Sequence, residues 1–402
     1  MPGEKTAMRD EPSFSLKERI RARAAELGFA LCGFTTCEPP AHLATYQAWL
    51  MAARHGEMTY LATEHARSSR ADPHRLMPSC RTVIVLGCLY SAPLPAPQDP
   101  LGGRVAAYAA GEDYHDLVPA RARALVEFII TQVDSPVQWR TVSDTAPLLE
   151  REAGQRAGLG WIGKNGMLIS PQRGSYFVLA ELLISLDLPP DTPFEADRCG
   201  SCRRCLEACP TQCILPDRTL DATRCVSYLT IEQRGDIPEA LRPSIGPWAF
   251  GCDICQEVCP WNAHPAPPAA LSPLSSRSHF PLLDMGAELL ADEASFAARF
   301  RRSPLRRAKR AGWKRNLIVA LGNTGSVTAL PALQHALADV DPRLRRHAAW
   351  ALAAVGGMSA EGALQAALEI EADSTVRAAL QRALQHIRPP TLGGAQPAAG
   401  SG

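Results

Sequence analysis

The sequence predicts a chain of three modules: an α/β domain, a small cysteine-rich module and an all-α repeat domain. From about residue 13 to 195, helix-like stretches alternate with short β-branched runs. Nine of the 13 cysteines crowd between Cys199 and Cys259, and a period of about 31 residues marks the C-terminal part. At 402 residues the chain is longer than a single hydrophobic core usually reaches, which favours several domains.

The composition of each stretch sets the module boundaries. The β-branched runs that begin at Thr82 and Tyr176 are typical of strands, and the Pro/Ala/Ser-rich stretch 263–278 is typical of a surface connection. The Pro- and Gly-rich segment 91–103 is expected to lack regular structure. The predicted modules are a disordered start (1–12), the α/β domain (13–195), the cysteine module (196–262), a connecting segment (263–300), the repeat domain (301–388) and a disordered tail (389–402).

The C-terminal part repeats itself. The pair Ala-Leu recurs at 320–321, 351–352 and 383–384, and Asp341-x-x-Leu-Arg is matched by Asp373-x-x-Val-Arg. A period of this length marks stacked helix pairs of the HEAT type. An ordinary Ala/Leu-rich helical bundle is the alternative.

The charge balance restricts the choice of partners. A formal net charge of +1, from 42 basic and 41 acidic residues, argues against a globally basic nucleic-acid binder but allows a local basic patch. No apolar run approaches the ~18 residues that a membrane span needs, and the first residues lack the apolar core of a signal peptide. We therefore expect a cytoplasmic protein without membrane contact. We also expect a monomer, because three modules on one chain can bury each other's surfaces.

The cysteine spacing predicts iron–sulfur clusters. The first half of the module has the C-x2-C-x2-C-x3-C-P pattern of bacterial ferredoxins, formed by Cys199, Cys202, Cys205 and Cys209-Pro. In that pattern the fourth cysteine binds the other cluster. Zinc sites also use C-x2-C pairs, but they rarely need the C-x3-C-P ending. A matching second half follows, so we predict two [4Fe–4S] clusters, one held by Cys199, Cys202, Cys205 and Cys259 and the other by Cys209, Cys225, Cys252 and Cys255.

Five cysteines remain outside the two ligand sets. Cys213 follows the first motif and is interpreted as a spare thiol. The others lie near apolar runs and are interpreted as small core residues: Cys32, Cys37, Cys80 and Cys88. Two clusters in one small module can carry electrons but need a separate reactive centre.

Three polar, glycine-containing segments of the α/β domain are candidate pocket walls: 108–115, 141–150 and 160–175. Asp144 follows a short apolar strand, so a loop can present its carboxyl to a pocket as a proton donor. Alternatively, Asp144 caps the helix that begins near Pro147. The glycines of 158–166 suit a backbone that approaches a flat ligand, or equally tight turns.

A basic segment precedes the repeats. No acidic residue interrupts the run of arginines and lysines from Arg299 to Arg315. Such density of one sign predicts contact with the phosphates of a nucleic acid, and a solvated helix face is the alternative. Trp313 is a candidate for stacking on a base. The predicted contact residues are Arg306, Arg307, Lys309, Arg310, Lys314 and Arg315.

Several motifs together resemble one known family. They are Tyr108-x-x-Gly-x-Asp-Tyr-His, Ser-Asp-Thr-Ala-Pro at 143–147, Gly-Trp-Ile-Gly-Lys-Asn-Gly at 160–166, Cys-Pro-Trp-Asn at 259–262, and Ser-Pro-Leu-Arg-Arg-Ala-Lys-Arg at 303–310. In this order they resemble the epoxyqueuosine reductases. The similarity runs from roughly residue 15 into the repeats.

The resemblance implies an N-terminal cobalamin-binding domain, a two-cluster module and a helical domain that contacts tRNA. It implies that epoxyqueuosine at the wobble position is reduced to queuosine with loss of water, using cob(I)alamin supplied with electrons by the two clusters and an external electron donor. Asp144 matches the family's proton donor, a role that calls for a carboxyl protonated near neutrality. The implied cobalamin contacts are Arg70, Tyr108, Asp144, Ser170, Ser227 and Asp253.

Two other functions are compatible with parts of the sequence. A cobalamin- and cluster-dependent reductive dehalogenase would act on a small molecule and would not need a polyanion site. A plain electron carrier or scaffold would need neither Asp144 nor the basic segment. The basic segment and the repeats therefore favour the tRNA enzyme.

Overall fold

The computed structural model describes residues 15–90, 97–263, 274 and 283–387. The predicted disordered segments 1–12 and 389–402 lie outside these residues. The helices are α1 (Leu16–Glu26), α2 (Leu43–Met51), α3 (Glu64–Ala71), α4 (Tyr114–Thr131), α5 (Glu150–Arg156), α6 (Arg204–Ala208), α7 (Val226–Ile231), α8 (Arg242–Ile245), α9 (Ile254–Glu257), α10 (Met285–Leu290), α11 (Glu293–Arg299), α12 (Lys309–Thr324), α13 (Leu330–Ala336), α14 (Pro342–Val355), α15 (Met358–Ile370) and α16 (Ser374–Gln385). No helix in this described part combines the length and the apolar composition that a membrane crossing requires.

The strands form one larger and two small sheets. The strands are β1 (Leu31–Thr36), β2 (Thr82–Leu89), β3 (Gly102–Val105), β4 (Trp139–Val142), β5 (Trp161–Ile162), β6 (Leu168–Ile169), β7 (Phe177–Ile184), β8 (Trp248–Phe250) and β9 (Leu283–Asp284). The larger sheet is antiparallel throughout, in the order β1-β2-β7-β4.

The larger sheet carries helices on both faces, which confirms the predicted α/β domain. All eight residues of β2 are buried, because its side chains alternate between two cores. Ile84 and Leu86 pack with α1 and α4, whereas Val83 and Val85 pack with α5. The β-branched runs at Thr82 and Tyr176 were thus correctly predicted to contain strands, since β7 begins one residue after Tyr176.

Two of the four cysteines assigned to the core are joined. Cys37 and Cys80 are each 3% exposed and form a disulfide bond, with their Cα atoms 6.3 Å apart. Cys88 is fully buried in β2, and Cys32 is half-buried in β1. Packing against the sheet therefore accounts for all four, and the disulfide is an addition to the prediction.

A three-stranded sheet connects parts of the chain that were predicted to be separate. Strand β3 pairs in parallel with β8 of the cysteine module and antiparallel with β9, in the order β8-β3-β9. The expectation that 91–103 lacks regular structure is wrong for Gly102 and Gly103, which begin β3. The predicted connecting segment likewise contains β9, α10 and α11, so only part of it is a simple connection. The module boundaries themselves stay a prediction.

Helices α12 to α16 stack in pairs, as the repeat predicted. The Ala-Leu pairs fall in α12, α14 and α16, which pack against one another in that order. Asp341 and Asp373 cap α14 and α16, because each carboxylate accepts hydrogen bonds from backbone N–H groups of the first turn. The core of these helices continues into the rest of the molecule through Phe250, Leu283 and Trp313.

Candidate active site and cluster module

Asp144 lies in a fixed loop that follows strand β4. The Ser143 hydroxyl donates to the Leu179 carbonyl over 2.7 Å, which ties the loop to β7. Asp144 itself has a φ of 55°, in the left-handed region that non-glycine residues rarely adopt, and its N–H donates to Glu150 Oε1 over 2.6 Å. The capping alternative is wrong, because α5 begins after Leu149 without a side-chain cap.

The carboxylate of Asp144 meets two side chains from the start of α4. The Tyr114 hydroxyl donates to Asp144 Oδ2 over 2.7 Å, and His115 Nε2 lies 3.7 Å from the same oxygen. The other ring nitrogen of His115, Nδ1, lies 2.7 Å from Asp113 Oδ1. Asp113 also caps α4, which fixes Tyr114 and His115 in place. The side chain of Asp144 is 63% exposed, so it remains open to a ligand.

The charges around this group favour a proton on the histidine. Partial desolvation favours a neutral Asp144, but the nearby His115 and the hydrogen bond from Tyr114 outweigh it and hold the pKa of Asp144 below its usual range. Burial also disfavours the His115 cation, yet Asp113 and Asp144 raise the pKa of His115 to about 9. Without a bound cofactor, the surroundings of Asp144 thus favour its ionised form, and a carboxyl protonated near neutrality stays a prediction for the cofactor-bound site. Together, His115 and Asp144 still hold one transferable proton.

Aromatic side chains line the region between Asp144 and the cysteine module. Tyr108 packs edge-on against Tyr114 and Tyr90, with ring centroids 6.0 and 6.5 Å apart. Tyr176 extends this group, 5.8 Å from Tyr90. The Tyr176 hydroxyl is buried, and no hydrogen-bond partner is found for it among the described residues. A buried hydroxyl without a partner is costly, so it fits a site that a polar ligand group completes.

The residues implied as cobalamin contacts fall into two groups. Charges from Asp144 and Asp253 act, after burial, to raise the pKa of Tyr108, and the positive charge of Arg70 acts on Glu150 beside Asp144. Asp253 is 2% exposed and accepts from the Ala107 N–H over 2.6 Å, which joins the two modules. Charge interactions thus link Tyr108 with Asp144 and Asp253, whereas Arg70 is linked to them only through Glu150.

Ser170 and Ser227 are placed differently. Ser170 is fully buried and its hydroxyl donates to Gln172 over 3.2 Å. Ser227 is half-buried on α7, two residues after the predicted ligand Cys225. Within the described ranges, no hydrogen bond joins either serine to Asp144 or Tyr108. Their contact with a cofactor stays a prediction.

The predicted cluster ligands form two neighbouring groups. The Cys205 thiol interacts electrostatically with Cys199, Cys202 and Cys259. Cys252 interacts in the same way with Cys209 and Cys225. In the described part of the chain, no three side chains converge closely enough for one metal ion. Each thiolate of a four-iron cluster binds a different iron, so its ligands need not converge on one point, and the donor set fits two such clusters.

Cys213 lies among the ligands of the second group. It is 3% exposed, and its Sγ lies 3.5 Å from that of Cys209. It also interacts with Cys225. Its interpretation as a spare thiol stays a prediction, because the set of eight already supplies four thiolates for each cluster.

The glycine-rich segment 160–166 clamps the cysteine module. Trp161 Nε1 donates to Cys199 Sγ over 3.4 Å, and Lys164 Nζ donates to the carbonyls of Gly200 and Cys202 over 2.6 and 2.9 Å. A Cβ on Gly160 would lie 2.0 Å from the Ile169 carbonyl oxygen, across the β5–β6 hairpin. The tight hairpin, rather than a flat ligand, thus explains this glycine.

The structure divides the basic segment into exposed and buried residues. Arg306, Arg307 and Lys309 are exposed, whereas Arg310 and Lys314 are half-buried. Lys314 pairs with Asp339 over 2.8 Å, and Arg310 donates to the Glu288 and Ala291 carbonyls. These two side chains are therefore engaged within the protein.

Two members of the basic segment were wrongly predicted to face nucleic acid. Arg315 is 2% exposed, and its guanidinium donates to the carbonyls of Leu229, Gln233 and Gly235 over 2.6 to 2.8 Å. Trp313 is fully buried and packs against Phe300, so it cannot stack on a base. Both residues anchor α12 instead.

The exposed part of the basic segment borders the Asp144 site. The Asp113 N–H donates to the Arg302 carbonyl over 3.1 Å, and the positive charge of Arg306 acts on Asp113. Arg307 lies over the Tyr60 ring at 5.8 Å and pairs with Glu232 through two bonds of 2.9 and 3.0 Å. Polyanion-binding charge and the candidate acid thus lie side by side.

Sequence reasoning missed two glutamates near Asp144, one half-buried and one fully buried. Glu150 accepts the Asp144 N–H, and Glu181 lies fully buried in β7. The only available signal was a glutamate inside the apolar run of β7, which reads Phe-Val-Leu-Ala-Glu-Leu-Leu-Ile. A charged residue in such a strand indicates a specific structural or functional role, because burial of an unpaired carboxylate is strongly unfavourable.

Three family models match the chain. Residues 70–145 match epoxyqueuosine reductase QueG, residues 198–262 match a 4Fe-4S double cluster binding domain, and residues 305–385 match HEAT repeats. The cysteine module and the repeat domain are thereby confirmed. The fold and the paired cysteine motifs define an iron–sulfur redox protein with two four-iron clusters.

Curated relatives identify the family. The epoxyqueuosine reductase of Pseudomonas aeruginosa is 41% identical over 347 residues, covering 84% of this chain and 94% of the relative. That of Escherichia coli K12 is 40% identical and covers 84% of this chain and 89% of the relative. The chain belongs to the epoxyqueuosine reductase family.

Solved structures agree in fold. An epoxyqueuosine reductase from Streptococcus thermophilus superposes with a TM-score of 0.81 at 28% identity, covering 92% of this chain and 99% of the other. An epoxyqueuosine reductase bound to an epoxyqueuosine-modified tRNA-Tyr stem loop gives a TM-score of 0.80 at 29% identity, covering 92% and 98%. The family assignment therefore extends over nearly the whole length.

Proposed function

We propose that this protein reduces epoxyqueuosine to queuosine at the wobble position of tRNA. The family relationship supports the reaction, and a relative of the same fold is known with an epoxyqueuosine-modified tRNA stem loop. The observation that carries the proposal is the position of the exposed basic residues beside Asp144. A tRNA held by its phosphates there would present a loop base to the acidic group.

The donor set of the cysteine module supports two [4Fe–4S] clusters as the resident electron carriers. We assign Cys199, Cys202, Cys205 and Cys259 to one cluster and Cys209, Cys225, Cys252 and Cys255 to the other. Cobalamin would lie between this module and Asp144, against Arg70, Tyr108 and Asp253, where the unpartnered Tyr176 hydroxyl fits a bound polar group. When bound, it supplies the cobalt centre at which the epoxide is reduced.

The acidic group supplies and orients a proton for this reaction. Removal of the epoxide oxygen as water takes up two electrons and two protons. Tyr114 and His115 hold the Asp144 carboxylate in one orientation, and His115 carries a proton at neutral pH. Asp144 receives that proton and passes it to the departing oxygen, which makes it the final proton donor.

The electron donor, the cellular location and the oligomeric state complete the proposal. An external protein or small reductant recharges the clusters, because each turnover consumes two electrons. The substrate places the enzyme in the cytoplasm, where tRNA is modified. A monomer suffices, since residues of all three modules already pack into one buried cluster within a single chain.

The test is nucleoside mass spectrometry of tRNA that contains epoxyqueuosine. The tRNA is incubated anaerobically with cluster-reconstituted protein and a reductant, with and without cobalamin. Conversion to queuosine only with cobalamin is the expected result. If nothing is converted while spectra confirm both clusters and bound cobalamin, the substrate is a small molecule and the tRNA proposal fails.

A further inference from the structure

Tyr60 carries an exposed aromatic ring. The residue is 50% exposed, and Trp139, at 38%, is the other exposed aromatic residue in the described part of the chain. Large rings are usually buried, because their removal from water is favourable. A single exposed ring nevertheless needs no special explanation, so its surroundings decide whether it has a role.

The backbone around Tyr60 is held on both sides. Before it, the Glu57 N–H donates to the Tyr228 hydroxyl over 2.7 Å, which ties the segment to the cysteine module. After it, the Leu61 carbonyl accepts from the Tyr46 hydroxyl over 2.5 Å. A ring on a turn that is already fixed loses little conformational freedom when it binds a ligand, which favours a role in recognition.

A guanidinium group lies over the ring. The Arg307 guanidinium carbon is 5.8 Å from the centre of the Tyr60 ring. Two hydrogen bonds of 2.9 and 3.0 Å to the Glu232 carboxylate hold the guanidinium there. The ring therefore has a fixed cation as a neighbour and still exposes half of its surface.

The segment that carries Arg307 also contacts the Asp144 site. Five residues earlier, the Arg302 carbonyl accepts the Asp113 N–H over 3.1 Å, and Asp113 caps the helix whose first side chains hold Asp144. Burial contributes most to a raised pKa of the Tyr60 hydroxyl, and the charge of Asp144 acts in the same direction. The exposed ring thus borders the candidate active site.

We propose that Tyr60 stacks on the base of the anticodon loop that directly precedes or follows the epoxyqueuosine nucleotide. The proposal rests on the proposed function, because the modified base has to reach Asp144 for its neighbour to meet Tyr60. Proteins recognise single-stranded loops largely through bases that unstack and lie against aromatic rings or guanidinium planes. Tyr60 and Arg307 offer one of each, and the exposed Arg306 and Lys309 are available to the phosphates nearby.

Stacking and phosphate contact differ in their response to salt. A base that lies against a ring releases no counterions, so the slope of log Kd against log salt depends on the phosphate contacts alone. Removal of the Tyr60 ring should therefore lower the affinity for the loop without changing that slope. This separates the role of Tyr60 from that of its basic neighbours.

The test is binding of a labelled anticodon stem loop with epoxyqueuosine to protein loaded with clusters and cobalamin. Tyr60→Ala should raise Kd about tenfold at every salt concentration, the usual effect of removing one stacking ring. Tyr60→Phe should keep the wild-type Kd, since a phenyl ring stacks equally well. The matched control is Trp139→Ala, at the end of β4 remote from Asp144, which should bind normally. Wild-type affinity in Tyr60→Ala would overturn the proposal.

A fluorescent base distinguishes stacking from a supporting role of the ring. 2-Aminopurine is placed directly before or directly after the wobble nucleotide, and its fluorescence, which stacking quenches, is read at saturating protein. At one of the two positions the wild-type and Tyr60→Phe complexes should be darker than the Tyr60→Ala complex. Equal fluorescence at both positions would overturn the proposal. Weaker binding of Tyr60→Ala with equal fluorescence and a smaller salt slope would show that the ring only positions Arg307.

Turnover separates this proposal from the proposed function. Tyr60→Ala should raise KM about tenfold and leave kcat near the wild-type value, because the ring binds the substrate and the transition state alike. If the wild type makes queuosine and Tyr60→Ala has the same KM, the stacking is refuted and the proposed function stands. If the wild type neither binds the stem loop nor makes queuosine, the proposed function is refuted and the stacking with it.

Discussion

Asp144 combines an uncommon backbone conformation with an anionic carboxylate that two neighbours hold in place. Its replacement by asparagine removes the group that passes a proton to the substrate. We expect Asp144→Asn to lower kcat by about a hundredfold or more, the usual contribution of a positioned acid. Queuosine formation measured by mass spectrometry checks this. Asp116→Asn, an exposed acid on the first turn of α4, should have no effect, and full turnover by Asp144→Asn would exclude its role as acid.

Only part of the basic segment is free to meet phosphates. We expect Arg306→Gln and Lys309→Gln each to weaken tRNA binding and to reduce the slope of log Kd against log salt by about one. Titration of a labelled tRNA at several salt concentrations measures both. Arg377→Gln, exposed on α16, should leave the slope unchanged. Equal slopes for all three variants would place the phosphate contacts elsewhere.

Individual site residues differ in how well the sequence predicts them. The eight cysteines follow from spacing alone, because a cluster motif is local and has a fixed pattern. The role of Arg315 does not follow from the sequence in this way. Its charge groups it with the basic run, and only the fold shows that its guanidinium donates hydrogen bonds to three backbone carbonyls. The hydrogen bond from the Asp144 N–H to Glu150 is equally invisible, since only the fold of the loop brings the two groups together.

Among the elements, the β5–β6 hairpin connects the α/β domain to a cluster ligand. The N–H of Trp161 donates to Cys199 Sγ, and a donor at a ligand sulfur stabilises the reduced cluster. We expect Trp161→Phe to lower the midpoint potential of one cluster by roughly 40 mV, the equivalent of about 1 kcal/mol for one electron. A redox titration followed by electron paramagnetic resonance measures the shift. Trp139→Phe, in β4 and 38% exposed, should leave both potentials unchanged.

The elements that the sequence predicted well carry their own pattern. Strand β2 is a β-branched run, and α14 and α16 begin at aspartate caps that recur with the repeat. Strand β3 begins with two glycines and reads as a loop, because its partners β8 and β9 come much later in the chain. A short strand that is stabilised by distant pairing leaves no local signal.

At the scale of the whole molecule, one buried apolar cluster contains residues of all three modules. Ala109 of the first domain, Phe250 of the cysteine module and Trp313 of the repeats belong to the same buried cluster. We therefore expect a chain that ends at residue 262 to aggregate and to lack cluster absorbance, because apolar surface around Phe250 would be exposed. A chain that ends at residue 387 keeps every described residue and should behave as the full chain. A soluble, cluster-loaded 1–262 chain would show that the modules fold independently.

The small sheet that unites β3 with β8 and β9 bears on how the protein is made. During synthesis, β3 leaves the ribosome long before Trp248–Phe250 and Leu283–Asp284, which are its sheet partners among the described residues. At ribosomal speeds of about 5–20 residues per second, the nascent β3 waits on the order of ten seconds or more with an open edge. An open edge invites wrong pairing, so this interval is when the newborn chain most depends on chaperones.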